Sequence, residues 1–399
     1  LISSQIKLGA AFGDAFSKQI FLGQAIILDA YDRAYRVDLR NRISSSSADL
    51  AVTSFLEQDQ TKMVSATMPE GLTLGFDVKE RDEVEPRREV APFSYRASLE
   101  KARQDDIGTI RFSADLGHQS EFIAGLDASP LNLFTNSIPE EASGGVFFNS
   151  SWTSSPQLTL LGNGDSFKIS HEIGSNTKFD IGMHHSSGFS SSSNTGAGHL
   201  LQMQLSHKSS SGFRYGLTTG YVSEEESLFS SSSRGAFGTM DDNRNEYATL
   251  AASWEINDKT IIFGTYTNAT LKPSFSGDSL FDNWSRIHAN SFAIGLTTQS
   301  QFTNGDRLGI SVGQPLRVSK STVDATLPVG RDLDGNVLQE TQRVDLVPTG
   351  RQIDIQLAYS LRSRGQTEVT SFAALSLQPG HDSSANPEAA VGFKWRLEF

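Results

Sequence analysis

Few residue types in this 399-residue chain can carry chemistry. Cysteine is absent, so a disulfide, a thiolate metal site and a cysteine nucleophile are all excluded, and metal ligation falls to His and the carboxylates. His184-His185 is the most concentrated donor pair. It closes a run that reads as a β-strand, where neighbouring side chains face opposite ways, so these two imidazoles do not share one metal ion. Asp332-Leu333-Asp334-Gly335-Asn336 has the acids of a calcium loop without the spacing or closing Glu of an EF-hand; it reads as a Gly-containing turn, and weak surface calcium stays open. Glu224-Glu225-Glu226 reads as solvated loop. A hydrolytic site would need Ser, His and Asp to converge, with His171, His199 and His207 near strand ends as its imidazoles, but no nucleophile motif accompanies them. The expectation is a chain without cofactor, metal site or enzymatic activity.

Charge narrows the partners. Lys and Arg number 34 against 46 Asp and Glu, a net charge of −12, which excludes a basic nucleic-acid binder. The longest apolar runs are short ones such as Ala25-Ile26-Ile27-Leu28, far from the ~18 residues of a membrane-spanning helix. A transmembrane β-barrel escapes that test, because its lipid-facing and lumen-facing residues alternate. The chain opens at Leu1 without Met, basic n-region or apolar h-region, as expected of a piece of a longer or processed precursor.

The elements that must position these residues are written in period two. Val391, Phe393, Trp395, Leu397 and Phe399 share one parity, while Gly392, Lys394, Arg396 and Glu398 take the other. Upstream, Ile353, Ile355, Leu357 and Tyr359 alternate with Gln352, Asp354 and Gln356, and Leu308, Ile310 and Val312 with Arg307, Gly309 and Ser311. Leu250, Ala252, Trp254 and Ile256 oppose Thr249, Ala251, Ser253 and Glu255; Phe213, Tyr215 and Leu217 oppose Arg214, Gly216 and Thr218. Phe179, Ile181 and Met183 oppose Lys178, Asp180 and Gly182. A soluble sandwich would bury the apolar faces against each other; an outer-membrane barrel would turn them to lipid and line its lumen with the polar ones.

Strand length and loop rhythm separate the two. The segments run about 10 to 13 residues, against ~5–6 in globular sheets and ~9–11 for a tilted membrane strand. Connections alternate short (around 174–176, 209–211, 257–258, 303–305 and 364–365) and long (186–197, 223–244, 271–285, 315–350 and 378–387), as at the periplasmic and extracellular ends of a bacterial barrel. Strands are expected near 153–162, 164–172, 175–185, 198–208, 211–222, 245–257, 258–270, 286–299, 306–314, 351–363, 366–377 and 388–399.

The expected class is therefore all-β, a transmembrane antiparallel up-and-down β-barrel of 12 strands over 153–399, with an alternative of up to about sixteen. Residues 1–116 read as a β-rich, autochaperone-like stem, with hairpins over 22–40, 61–78 and 91–115, a charged stretch at 79–90, and a short helix over 4–20 from Leu8, Phe12 and Phe16. Residues 117–152 read as a pore-spanning or plug segment. Lys178, Asp180, Arg214, Glu255, Arg307, Asp354, Lys394, Arg396 and Glu398 are expected to face the lumen.

Phe12-Gly13-Asp14-Ala15-Phe16, followed by Ile27-Leu28-Asp29-Ala30-Tyr31-Asp32-Arg33-Ala34-Tyr35-Arg36-Val37-Asp38-Leu39, resembles the segment after the peptidase domain in subtilisin-like serine protease autotransporters of alphaproteobacteria. Val312-Gly313-Gln314-Pro315-Leu316-Arg317-Val318, Pro348-Thr349-Gly350-Arg351-Gln352-Ile353-Asp354, Tyr359-Ser360 and Pro379-Gly380-His381 are similar to pieces of the barrel in those proteins. The resemblance runs in patches over the whole chain. It implies a twelve-stranded translocator in the Gram-negative outer membrane that exports an N-terminal passenger. It also implies insertion by the barrel-assembly machinery, with Val391, Phe393, Trp395, Leu397 and Phe399 as the insertion signal. Outer-membrane lipid and lipopolysaccharide would be the surrounding partners. The subtilase motifs, His-Gly-Thr-His-like and Gly-Thr-Ser-x-Ala, do not occur here, so the family's protease activity is not implied for this chain. A porin-like channel, which would need an inward-folded loop, and a soluble sandwich adhesin are the alternatives.

Overall fold

A computed structural model describes residues 4–29, 31, 33–46, 61–67, 72–79, 106–134, 155–187, 196–362 and 367–397. The period-two sequence is realised as one 15-stranded antiparallel sheet in which each strand pairs with its neighbours in chain order. The strands are β1 (Thr61–Thr67), β2 (Leu72–Lys79), β3 (Asp106–Gly117), β4 (Ser120–Ala128), β5 (Gly164–Ile173), β6 (Thr177–Ser186), β7 (Gly198–Lys208) and β8 (Phe213–Glu224). They continue as β9 (Asn243–Asn257), β10 (Thr260–Leu271), β11 (Ile287–Gln299), β12 (Arg307–Lys320), β13 (Ile353–Arg362), β14 (Thr367–Leu377) and β15 (Glu388–Leu397). Register is continuous along most pairs, from Thr177 opposite His207 to Ser186 opposite Gly198 between β6 and β7, and from Phe213 opposite Trp254 to Glu224 opposite Asn243 between β8 and β9.

The sheet is inside out. Phe167, Met183, Met203, Leu217, Leu250, Trp254, Ile294, Ile310, Leu357, Phe393 and Trp395 stand exposed on one face, while Ser166, Ser170, Gln202, Gln204, Thr218, Thr249, Thr267, Ser291, Ser311 and Gln356 are buried on the other. Soluble monomers rarely expose apolar patches beyond a few hundred Å², and each Å² left in water costs roughly 25 cal/mol. An apolar exterior around a polar interior is stable in a bilayer, where every backbone group must also find its partner within the sheet. The chain is a transmembrane antiparallel up-and-down β-barrel of the outer-membrane type. Among the described residues no helix is long and apolar enough to cross a membrane; the crossing is made by strands.

Connection lengths segregate as expected. His118-Gln119, 174–176, 209–212 and Asp258-Lys259 join strands at one end, and 129–163, 187–197, 225–242, 272–286, 321–352 and 378–387 join them at the other. The 321–352 connection carries its own hairpin, Thr322–Arg331 paired with Val337–Asp345.

Four expectations are corrected. Among the described residues the sheet has 15 strands and not 12, within the alternative of up to about sixteen, because β1 to β3, expected in the stem, and β4, expected in the pore-spanning segment, continue the same sheet through β4–β5 pairing. The expected first strand, 153–162, is a 3₁₀ turn over Pro156–Leu160: Leu158 and Leu160 alternate with Gln157 and Thr159 like a strand, but Pro156 sits where a helical turn begins. The expected helix over 4–20 is a strand, Gln5–Leu8, followed by 3₁₀ turns at Ala10–Phe12 and Ile20–Gly23. Leu8, Phe12 and Phe16 are all buried, yet Gly9 and Gly13 break the run, Gly13 at a φ of 49°. The lumenal segment expected at 117–152 opens with a strand, since 120–128 is β4; residues 91–105 and 135–154 lie outside the described residues.

Candidate functional site: the lumen and its outer cap

The N-terminal residues fold onto the long-connection end of the barrel. Gln5–Leu8 pairs antiparallel with Ser232–Arg234, in the β8–β9 connection, and parallel with Ile43–Ser45. Ile6, Phe12, Phe16 and Leu22 are fully buried in one apolar cluster with Phe229, Phe237, Phe281, Val323 and Leu346. Phe16 meets Phe281 edge-on at 5.3 Å between ring centroids and lies 6.4 Å from Trp284. Polar contacts fix the docking. The Asp14 carboxylate accepts from the Thr349 N–H at 2.8 Å and from its hydroxyl at 2.5 Å. Gln19 Nε2 donates to the Asp345 carbonyl at 2.9 Å, and Lys18 Nζ lies 3.4 Å from Asp382. A Cβ on Gly13 would strike the Gly380 carbonyl oxygen, and one on Gly9 the Phe229 carbonyl; both positions require a bare backbone.

His381 sits beneath this cap, almost wholly buried. Its Nδ1 accepts from the Gln352 N–H at 2.9 Å, and its Nε2 lies 3.2 Å from the Leu316 carbonyl, so the ring is the neutral Nε2–H tautomer. Burial lowers its pKa from 6.5 to about 4; the Leu316 carbonyl opposes this, while Arg317 and Arg351 add to it.

A second element occupies the lumen. The β4–β5 connection turns inward through the helical turn Pro130–Leu133, capped by the Ser129 hydroxyl, and returns through Pro156–Leu160. Lys168 Nζ donates to the Leu133 carbonyl at 2.9 Å, and the Phe134 ring fills the space left by inward-facing Gly182. Ser155 Oγ is hydrogen-bonded to Thr249 Oγ1 on the opposite wall at 3.0 Å, and Thr249 to Thr267 at 2.9 Å. Gln157 and Asn245 are fully buried within the barrel, and their amide groups have no protein partner among the described residues.

The inward face carries both charge signs. Lys178 lies 3.7 Å from Asp180, which also accepts from the Ser170 hydroxyl. Glu255 draws Arg214 to 2.9 Å and Lys208 to 3.8 Å. Those four expected residues form two clusters near the short-turn end. Asp354 is buried on the wall with both carboxylate oxygens 3.0 Å from Gln352 Nε2. Arg307 and Lys394 stand elsewhere on the same face. Arg396 and Leu397 end β15; their side chains, together with Glu398 and Phe399, lie outside the described residues. Val391, Phe393 and Trp395 point outward, 83, 61 and 61 % exposed.

The other sequence candidates scatter. His184 is buried inward, bonded to Ser166 Oγ at 2.7 Å and the Gly162 carbonyl at 2.9 Å, while His185 faces outward. Asp332 closes its turn on Asn336 N–H and side-chain amide. Glu224 is not solvated: it is fully buried and accepts from Ser227 Oγ and the N–H groups of Phe229 and Ser230. Its carboxylate shapes the loop that receives Phe12. Sequence reasoning missed this receptor, although the Ser227-Leu228-Phe229-Ser230 run after three acids is where such a turn forms.

No family model matches the sequence, and no curated protein matches it. Among solved structures it is similar to OprB of Pseudomonas putida, with 13 % identity, 81 % of this chain and 82 % of that one covered, and a TM-score of 0.49. It is also similar to OmpT, an outer membrane protein of Vibrio cholerae (11 %, 82 % and 83 %, 0.46), and to an anion-selective porin from Comamonas acidovorans (10 %, 83 % and 85 %, 0.42). Similarity at this level leaves residue roles to the chain's own geometry.

Proposed function

We propose that this barrel is the translocator of an autotransporter, carrying N-terminal sequence to the outer face of a Gram-negative outer membrane. One observation carries the reading: residues 4–28 are folded into the long-connection end, while β15 runs toward the short-turn end. In outer-membrane barrels long loops face outward and short turns face the periplasm, so the two ends of the described chain belong on opposite sides. An N-terminal segment on the outer side has crossed the membrane. The cap is then the last exported piece, docked on the mouth it passed. By the resemblance, the passenger is a subtilisin-like protease, and insertion depends on the barrel-assembly machinery reading Phe393, Trp395 and the residues after them. The chain's own role is non-enzymatic.

A reporter domain fused ahead of Leu1, behind a signal peptide, tests the proposal. Surface exposure of the reporter in intact cells is expected; a reporter retained in the periplasm beside a correctly inserted barrel would refute export.

A porin-like channel is the second reading. It is favoured by the inward-folded β4–β5 connection, which lies between two wall strands and not ahead of the first, and by the polar wall around it. Planar-bilayer recording separates the two: steady ion-selective conductance of the intact chain would favour the channel, and a closed lumen the capped translocator.

A further inference from the structure

On the outer face of the barrel, His185 of β6 and His199 of β7 are direct cross-strand partners. Their Nδ1 atoms are 3.1 Å apart and their rings stack at 4.6 Å with 17° between planes. Two imidazole nitrogens at that distance are held together by a shared proton or a shared cation. We propose that His185 and His199 chelate a divalent transition-metal ion of the zinc and copper class at the outer end of the barrel.

The geometry fits that chemistry. A metal at ~2.0–2.1 Å from each nitrogen would subtend about 98° across the 3.1 Å separation, between square-planar and tetrahedral values. Both side chains are exposed and sit at strand ends beside 187–197, so small χ adjustments can aim the lone pairs at one point. The surroundings supply a second observation. His199 uses Nδ1 toward His185, and its other nitrogen, Nε2, faces the Glu225 carboxylate at 3.9 Å. A metal-bound imidazole typically gives its remaining N–H to a carboxylate, which fixes the tautomer and raises ligand basicity. Asp165 of β5 is the cross-strand partner of His185 on the other side, extending the row on the same face as Asp165, His185, His199.

Among the described residues no three His, Asp or Glu side chains cluster tightly enough for a closed site. The site is therefore open: two imidazoles hold the ion, and water or an external ligand takes the remaining positions. Imidazole suits Zn²⁺, Ni²⁺ and Cu²⁺, with Cu²⁺ bound tightest. Sequence reasoning considered His184 with His185, which face opposite ways; the pair that meets is thirteen residues wider in sequence and legible only from register.

Metal titration of the full chain in nanodiscs tests the proposal, using Zn²⁺ for calorimetry and Cu²⁺ for electron paramagnetic resonance. One equivalent is expected to bind, with two equatorial nitrogens coupled to Cu²⁺. His185→Ala and His199→Ala should each abolish that equivalent, and Glu225→Gln should weaken it roughly 10–100-fold. His207→Ala, on the same strand and outer face, should leave it intact. Binding that survives either His185→Ala or His199→Ala, or is lost with His207→Ala, would overturn the assignment.

Discussion

Acid should loosen the N-terminal cap through His381. The imidazole titrates at about 4 when docked and at 6.5 in water. Between those values the open form holds more protons, so docking stability rises with pH and is lost as pH falls from 6.5 toward 4. The whole shift is worth about 3.4 kcal/mol, and lowering pH from 7 to 5 should raise the open population about 20-fold, or ~1.8 kcal/mol. Arg317 and Arg351 act in the same sense as burial by opposing protonation, against the Leu316 carbonyl, and protonation takes the Nδ1 lone pair from the Gln352 N–H. Asp14 and Lys18 lie in the overlying cap, Asp382 follows His381 in the chain, and Asp354 lies two residues beyond Gln352. Hydrogen-exchange protection of residues 9–23, corrected for intrinsic rates, reads the opening that returns the ring to water. His381→Asn, which cannot titrate, should flatten the pH dependence between 7 and 5 whatever its baseline. Protection independent of pH in the native chain, or equally pH-dependent in His381→Asn, would refute the reasoning.

Truncating Phe12 to Ala deletes a fully buried ring and should cost about 3–5 kcal/mol of cap docking, read as faster tryptic cleavage at Lys18 with the barrel itself intact. Gly13→Ala should undock the cap as well, because a Cβ meets the Gly380 carbonyl at a positive φ; protease protection measures it. Leu250→Arg, on the outer apolar face, should lower barrel stability by about 2–4 kcal/mol near the bilayer midplane in urea unfolding from liposomes, whereas Arg at lumen-facing positions should cost less. Phe399→Asp should reduce outer-membrane levels of the protein on fractionation; normal levels would remove Phe399 from the insertion signal.

The barrel was legible because it is written twice, in period-two alternation and in segregated loop lengths. Trp254 and Glu255 are adjacent in sequence, and a strand must send them to opposite faces. Its start was less legible: β3 and β4 join across His118-Gln119, two non-glycine residues with positive φ, and Gly117 lies just ahead of them and not at either central position. Residues 156–160 mimic a strand by alternation, and only the wall opposite, Thr249, reveals them as lumenal. The cap was invisible for a different reason. Phe12 and Phe16 showed an apolar face, but the partners that bury it, Phe229 and Phe281, are more than 200 residues away, and no local pattern encodes such pairing. The charged lumen residues were readable from parity alone; their grouping, Glu255 between Lys208 and Arg214, needed the register.

The absence of Cys makes the central claim directly measurable. Single cysteines placed at Tyr31, in the N-terminal cap, and at Ser210, in a short turn, can be labelled with a membrane-impermeant maleimide in intact cells. The account predicts that Tyr31→Cys reacts before permeabilisation and Ser210→Cys only after it. Labelling of Ser210→Cys in intact cells with Tyr31→Cys protected would place the N-terminal segment in the periplasm and contradict an exported cap.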